Sequence, residues 1–386
     1  MIVFKKIFEQ PWVMALQDAG GECFVVGGSV RDLFLQKTPK DIDLVVRLLP
    51  FNRLVEILNE YGKTDLVGES FSVIKFTYEG EVYDVAIPRR DVKIAGAKGH
   101  KSIEAQSDHN LSIEEDLARR DIRMNAMAIG SNLNLIDPFN GKQDIEKGVI
   151  NCVSEESFIE DPLRMLRALQ FAARFSFNIS DTTYKLIKEN RCLIKEIMKE
   201  RVFDELEKPF SGNGNIAHFA FMLQDTGLFP EIFGYNLRYD RMDVTEHLSE
   251  MLFYGVASPI MKDVAVFYKK AYPNLKDQLL KELKAFDVLC SPTFEKSTSE
   301  LMFDAMKHSD IVLRSNHVPD RFKEPFLSGD YPCSRKELAL SGDELVSMGY
   351  KEGKEVGDTI ASMLKAVLNR KTINNKESLI KFLERK

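Results

Sequence analysis

Asp41 and Asp43, with Ile42 between them, are the residues best suited by type and spacing to do chemistry. They open an apolar run, DIDLVVRL, that reads as a β-strand. Side chains alternate across a strand, so the two carboxylates share one face while Ile42 and Leu44 turn towards a core. Carboxylates that close repel each other unless a cation sits between them. Upstream, Phe24-Val25-Val26 reads as a strand that runs into Gly27-Gly28-Ser29 and a helix expected to begin near Arg31. A glycine turn ahead of a helix leaves backbone N–H groups open to an anion, with Gly28 and Arg31 at hand. A phosphate cradle followed by a paired-carboxylate metal site is what nucleotidyl transfer requires. Magnesium suits Asp41 and Asp43, being a hard cation that takes a few carboxylate oxygens, waters and substrate phosphates.

Three further stretches carry charge where charge is costly. Asp84 lies in VYDVAIP, flanked by apolar residues, and is the candidate third catalytic carboxylate beside Asp41 and Asp43. LARRDIRMNAMA (117–128) sets two arginines and an Asp before another strand-like run, within reach of a triphosphate at a sheet edge. EDPLRMLRALQFAARF (160–175) reads as a helix on which Asp161, Arg164 and Arg167 recur at i+3 and share a face. That face can serve as a protein template for a base. Cytosine and adenine both offer an exocyclic amino donor beside a ring-nitrogen acceptor, which Asp161 and Arg164 complement. Guanine and uracil set a carbonyl oxygen against the carboxylate instead, a mismatch costing on the order of several kcal/mol.

These residues need a scaffold, and the chain supplies two kinds. Up to about residue 150, FVVGG, DIDLVVRL, FSVIKFTY, EVYDVAIP, MNAMAIG and LNLIDPF read as strands bounded by turn residues. NRLVEILNEYG reads as an amphipathic helix ending at Gly62, and the polar stretch 95–110 as a loop. Beyond 150 the 3.6-residue apolar spacing of helices takes over, with starts at Asp161-Pro162 and Ser180-Asp181. The expected division is 1–150, a head; 151–210, a helical neck; and 211–386, a helical body and tail. A chain of 386 residues exceeds one ordinary core, so several domains are expected.

With 44% hydrophobic and 29% charged residues the composition is that of a soluble globular protein. No apolar run is long enough to span a membrane, and no signal peptide precedes the first strand. Five scattered cysteines without C-x-x-C spacing argue against a zinc site and for a cytoplasmic location. Net charge is −6, yet residues 365–386 carry seven basic side chains against two acidic ones, a place to hold an RNA backbone or simply a solvated helix.

GGSVRD (27–32) followed by DID (41–43) resembles the first motif of the DNA polymerase β-like nucleotidyltransferases. In detail it is similar to the class II tRNA nucleotidyltransferase and bacterial poly(A) polymerase family. The resemblance implies an α/β head of the polymerase β-like nucleotidyltransferase type followed by an all-α neck, body and tail. It extends to RRDIRMNA (119–126), where Arg120 is expected to bind the nucleotide and Asp121 and Asn125 to lie near its ribose. Arg123 stands two residues after that Asp, where the family often has threonine. Glu160, Asp161 and Arg164 match the family's E-D-x-x-R motif and Arg167 a further nucleotide-binding arginine, while Gln170 stands where relatives usually carry arginine. ERVFDELEKPF (200–210) resembles the segment that ends the family's neck. LSGDELVSMGYKEGKEVGDTI (340–360) resembles its glycine-punctuated tail, with Lys354 in place of a common proline.

The family implies Mg2+, CTP and ATP as substrates, and tRNA as partner through its acceptor end and elbow, with no membrane or protein partner indicated. Within it, complete CCA addition, partial addition of CC or A, and poly(A) synthesis share one head. The passage through GESFSVIKFTYEGEVYDVAIPRRD is of the CCA type. IPRRDVKIAGAKGHKSIEAQSD, with Arg89, Arg90 and Asp91, fits the loop that CC-only enzymes lack. Complete CCA addition is the expectation. Partial addition, poly(A) synthesis and a catalytically inactive RNA-binding relative are the alternatives.

Overall fold

The computed structural model describes residues 2–39, 41–67, 73–93, 103–211, 214–234, 236–237, 247–249, 251–252, 276–289, 298–315, 318 and 320–385. The chain divides into two compact units, Met1–Tyr235 and Asn236–Lys386.

In the first unit, helices α1 (Ile2–Phe8) and α2 (Pro11–Asp18) lead to β1 (Glu22–Val26), α3 (Gly28–Phe34), β2 (Ile42–Arg47) and α4 (Phe51–Tyr61). Strands β3 (Lys63–Val67), β4 (Val73–Tyr78) and β5 (Glu81–Ala86) follow, then a hairpin of β6 (Arg89–Lys93) and β7 (Ile103–Ser107). Next come α5 (Ile113–Ala118), β8 (Ala128–Gly130), β9 (Leu135–Ile136), α6 (Gly141–Lys147), β10 (Val149–Ile150) and α7 (Glu155–Glu160). The first unit ends with α8 (Leu163–Phe175), β11 (Asn178–Ile179), α9 (Asp181–Asn190), α10 (Lys199–Glu207), α11 (Ile216–Asp225) and α12 (Leu228–Phe233).

Seven strands form one sheet in the order β3-β4-β5-β2-β1-β8-β9. β2 and β5 pair in parallel, and the other neighbours are antiparallel. That parallel register sets Asp43 directly opposite Asp84, so the two side chains leave the same face of the sheet. The far end of the sheet closes on an aromatic core. Trp12 of α2 meets Phe76 edge-on at 4.9 Å and Tyr83 at 5.1 Å. Helix α4 buries Leu54, Ile57 and Leu58, the i, i+3, i+4 stripe its sequence foretells, and ends at Gly62.

Helix α3 begins at Gly28, three residues earlier than expected, because Gly27 alone makes the turn. Its φ of +68° is open to glycine and strained for other residues. The stretch 95–110 is not loop throughout. Ile103–Ser107 pairs with Arg89–Lys93, and the Arg90 guanidinium donates to the Gln106 side-chain Oε1 at 2.9 and 3.1 Å, supplying by contact what β-propensity lacks. Residues 94–102 lie outside the described residues. Ser180 starts α9 as expected, its hydroxyl accepting from the Thr183 amide, but the helical run to 210 breaks at a 3-10 turn, Arg191–Glu196.

The regular elements described in the second unit are helices, around a core that includes Met302, Leu345, Met363 and Leu379. Ser341 and Glu344 form a capping box on the helix Gly342–Ser347. Gly349 and Gly353, at φ of +101° and +96°, turn the chain into the helix Lys354–Leu368. Lys354 is the first residue of that helix, the position where proline is favoured because its N–H has no intrahelical partner. Much of the basic tail is engaged within the unit. Lys365 pairs with Glu300, Lys376 with Glu344 and Lys381 with Glu377, and Arg370 bonds the Tyr331 hydroxyl. Among the described residues, no helix is long and apolar enough to cross a membrane.

Candidate active site

The turn after β1 and the start of β2 are stapled together by Ser29. Its buried hydroxyl donates to the Asp41 carbonyl oxygen at 2.9 Å and accepts from the Asp43 amide at 3.3 Å. One side chain thus fixes the glycine turn against the carboxylate strand. Burial holds the Asp43 carboxyl above its ordinary value, and the neighbouring Asp84 and Asp41 push it the same way. Arg120 and Arg31 offset this only in part. Asp84 accepts from Lys75 at 3.2 Å on the adjoining strand.

This cluster of oxygen donors fits a hard divalent cation better than a soft one. Like charges have been gathered where a cation would relieve them. Among the described residues, no three His, Cys, Asp or Glu side chains are grouped so as to hold a metal ion.

Facing Asp43 is a cavity of about 380 Å³. Of the nine site residues expected from sequence, seven line it: Gly28, Arg31, Asp43, Arg120, Asp161, Arg164 and Arg167. Asp41 and Asp84 stand outside its lining. Five arginines against three aspartates give the wall a positive excess, suited to a polyanion.

A buried network sets the arginines. Asp121 accepts from the Ile122 amide at 2.8 Å, Asn125 at 3.0 Å and Arg167 at 2.7 and 2.8 Å. Asn125 in turn accepts from Arg31 at 2.8 Å, and Arg167 also pairs with Glu205 of α10 at 3.2 Å. Burial works against the charge on Asp121, but Arg167 and the hydrogen bonds outweigh it and hold its carboxyl below the usual range. Phe171 of α8 forms a floor on which Arg31 and Arg167 rest, each 5.4 Å from the ring centre.

Asp161, Arg164 and Arg167 do not share a helix. Asp161 is extended, φ −124°, at the junction of α7 and α8, and α8 starts only at Leu163. The reason is Pro162, since a residue before proline is kept out of the helical region. Asp161 still reaches the cavity, where its carboxylate pairs with Arg201 of α10 at 3.4 Å. Arg164 pairs with Asp91 of the hairpin at 3.3 Å. Gln170 is 1% exposed and does not line the cavity; its side-chain Oε1 accepts from Arg174 at 3.5 Å.

Sequence reading passed over Ser29, Asp116, Phe171, Arg201 and Glu205. Asp116 alone left a signal, since an acid three and four residues before Arg119 and Arg120 is the spacing of intrahelical ion pairs. Gly27 is held to glycine by more than its φ, because a Cβ there would overlap the Arg120 guanidinium.

A family model described as "Poly A polymerase head domain" matches residues 23–151. Another, "Probable RNA and SrmB- binding site of polymerase A", matches residues 176–235. The CCA-adding enzyme of Bacillus licheniformis is 29% identical over 397 residues, 97% of this chain and 96% of its own. The CC-adding tRNA nucleotidyltransferase of Halalkalibacterium halodurans is also 29% identical, over 388 residues, covering 96% of each chain. The crystal structure of the Bacillus stearothermophilus CCA-adding enzyme in complex with CTP is similar with a TM-score of 0.72 at 26% identity, covering 97% of this chain and 95% of that one. Its expected nucleotide-site residues gather on one cavity, and over nearly its whole length the chain is similar to CCA-adding and CC-adding tRNA nucleotidyltransferases, with residues 23–151 matching the poly(A) polymerase head model.

Proposed function

We propose that this protein adds C, C and A, drawn from CTP and ATP, to the 3′ end of tRNA without a nucleic-acid template, releasing pyrophosphate. One observation carries the reading. Asp43, one of the paired carboxylates of the head, and Asp161 with Arg164, from the start of the neck, line the same cavity. A reacting phosphate and a base edge can then be held together.

In this mechanism Asp41 and Asp43 would hold Mg2+, with Asp84 opposite Asp43 as the third carboxylate of the catalytic group. When bound, Mg2+ lowers the pKa of the attacking 3′-hydroxyl and neutralises charge at the α-phosphate and the leaving pyrophosphate. Gly28 and its turn, Arg31, Arg120 and Arg167 seat the triphosphate, so catalysis is mainly positioning and preorganised charge. Asp161 accepts from the exocyclic amino group of C or A while Arg164 donates to the ring nitrogen. Before substrate arrives their partners are Arg201 and Asp91, which orient both side chains. The head is residues 1–150, the neck 151–210, and the body and tail, 211–386, bind tRNA. Acting on tRNA places the protein in the cytoplasm.

Relatives of both the CCA-adding and the CC-adding kind resemble this chain to the same degree. Asp91 favours complete addition, because it connects the hairpin to Arg164 and so gives that segment a means of reshaping the pocket between C and A. The test is incubation with Mg2+ and tRNA transcripts ending before CCA, at CC or at CCA, with CTP, ATP or both, resolved at single-nucleotide length. Growth that stops at CCA is expected. A halt at CC or a long A ladder would replace this reading with partial addition or poly(A) synthesis. Asp41→Ala should abolish transfer by at least about 10³-fold while leaving tRNA affinity intact; loss of both together would count against the catalytic role.

A further inference from the structure

Asp116 is a charged side chain with no exposure at all, and the mechanism above does not use it. It lies on α5, behind the cavity wall. One oxygen accepts from Arg119 at 2.6 and 3.1 Å and from the backbone amide of Arg89 at 3.2 Å. The other accepts from Arg120 at 3.1 Å. Arg119 also donates to the Arg89 carbonyl oxygen at 3.1 Å. Both backbone polar groups of Arg89, the first residue of the hairpin, are therefore held by the Asp116–Arg119 pair. Two residues further along the hairpin, Asp91 grips Arg164. Arg119 and Arg120 themselves line the cavity.

A buried carboxylate could have been satisfied by one arginine. This one is shared between two cavity arginines and the root of a hairpin that ends on the base-reading arginine. We infer that Asp116 is a positioning residue that couples the grip on the triphosphate to the choice of base, by fastening Arg119, Arg120 and the β6–β7 root as one body. Movement of Arg119 or Arg120 on an arriving nucleotide is thereby transmitted to Arg89, and from there to Asp91 and Arg164. The inference rests on the reading of this chain as an enzyme that adds both C and A.

The test compares Asp116→Asn with Glu115→Gln. Asn keeps the shape and one acceptor but not the charge that holds both arginines. Glu115 caps the same helix through the Ser112 amide at 2.8 Å and touches none of these arginines, so it reports what loosening α5 does by itself. In Asp116→Asn, KM for CTP and ATP should rise about tenfold, and addition of A to a CC end should fall roughly tenfold further than addition of C. Amide exchange across 89–93 and 103–107 should quicken in Asp116→Asn and stay near wild type in Glu115→Gln. Unchanged exchange in the hairpin, or an equal fall in C and A addition, overturns the inference while an active wild type leaves the functional reading standing. A wild-type protein that adds neither nucleotide overturns that reading, and the inference with it.

Discussion

Asp43 carries the electrostatic tension of the site. Its carboxyl is held above the ordinary range by burial, then by Asp84 and Asp41, against the pull of Arg120 and Arg31. A carboxyl with a raised folded-state value stabilises the fold fully below its unfolded value, and that contribution disappears as pH rises through the folded value. Asp43→Asn removes the charge. Without metal at neutral pH it should unfold at a higher temperature than wild type, while its transfer activity is lost. The gap in unfolding midpoint should narrow as pH is lowered towards the ordinary carboxylate range. Thermal scans in chelator across that range check this, and a variant less stable than wild type at neutral pH would refute it. These charges were legible in the sequence because Asp-x-Asp in a strand is a local pattern. Asp116 was legible only as an intrahelical partner of Arg119 and Arg120, since that spacing does not show that its side of the helix is buried.

Elements place these residues, and their joints matter more than their lengths. Ser29 bridges the turn into α3 and the first residues of β2 through two hydrogen bonds made in a buried setting. Ser29→Ala leaves the Asp43 amide without that acceptor, at a cost of about 1–3 kcal/mol. It should lower kcat by about tenfold or more through misplaced carboxylates, with KM for CTP changed less. Steady-state kinetics beside a denaturant melt would separate the two effects. A rise in KM alone would show that the staple serves binding and not the carboxylates. The strands and helices of the head were readable from apolar alternation and turn residues. The β7 strand was not, because IEAQS owes its conformation to pairing with β6. The base-reading face was also drawn as one helix, where Pro162 in fact ends one helix and starts the next.

At the scale of the whole molecule, the cavity and every residue proposed to touch the nucleotide lie in Met1–Tyr235. Residues 1–235 alone should therefore fold, unfold cooperatively and bind CTP within about threefold of the full chain, while losing tRNA affinity. Calorimetry and a tRNA gel-shift assay check both halves; failure to bind CTP would mean that the second unit helps build the pocket. The sequence placed the change from mixed to helical structure near 150, where side-chain periodicity changes. A boundary between compact units depends on long-range contacts, which periodicity does not record.

The parallel pairing of β2 with β5 also orders events as the chain folds. β3, β4 and β5 form an antiparallel meander from neighbouring residues, whereas β5 can join β2 only by closing a long loop. That last docking brings Asp84 against Asp43, with Lys75 travelling alongside Asp84 as a partial shield. The same step seats Tyr83 on Trp12, the only tryptophan in the chain. Tryptophan fluorescence in stopped-flow refolding should thus follow the docking directly. Asp84→Asn should quicken that phase in low salt, and added divalent cation should quicken it in the wild type, because both relieve a repulsion that the unfolded chain never feels.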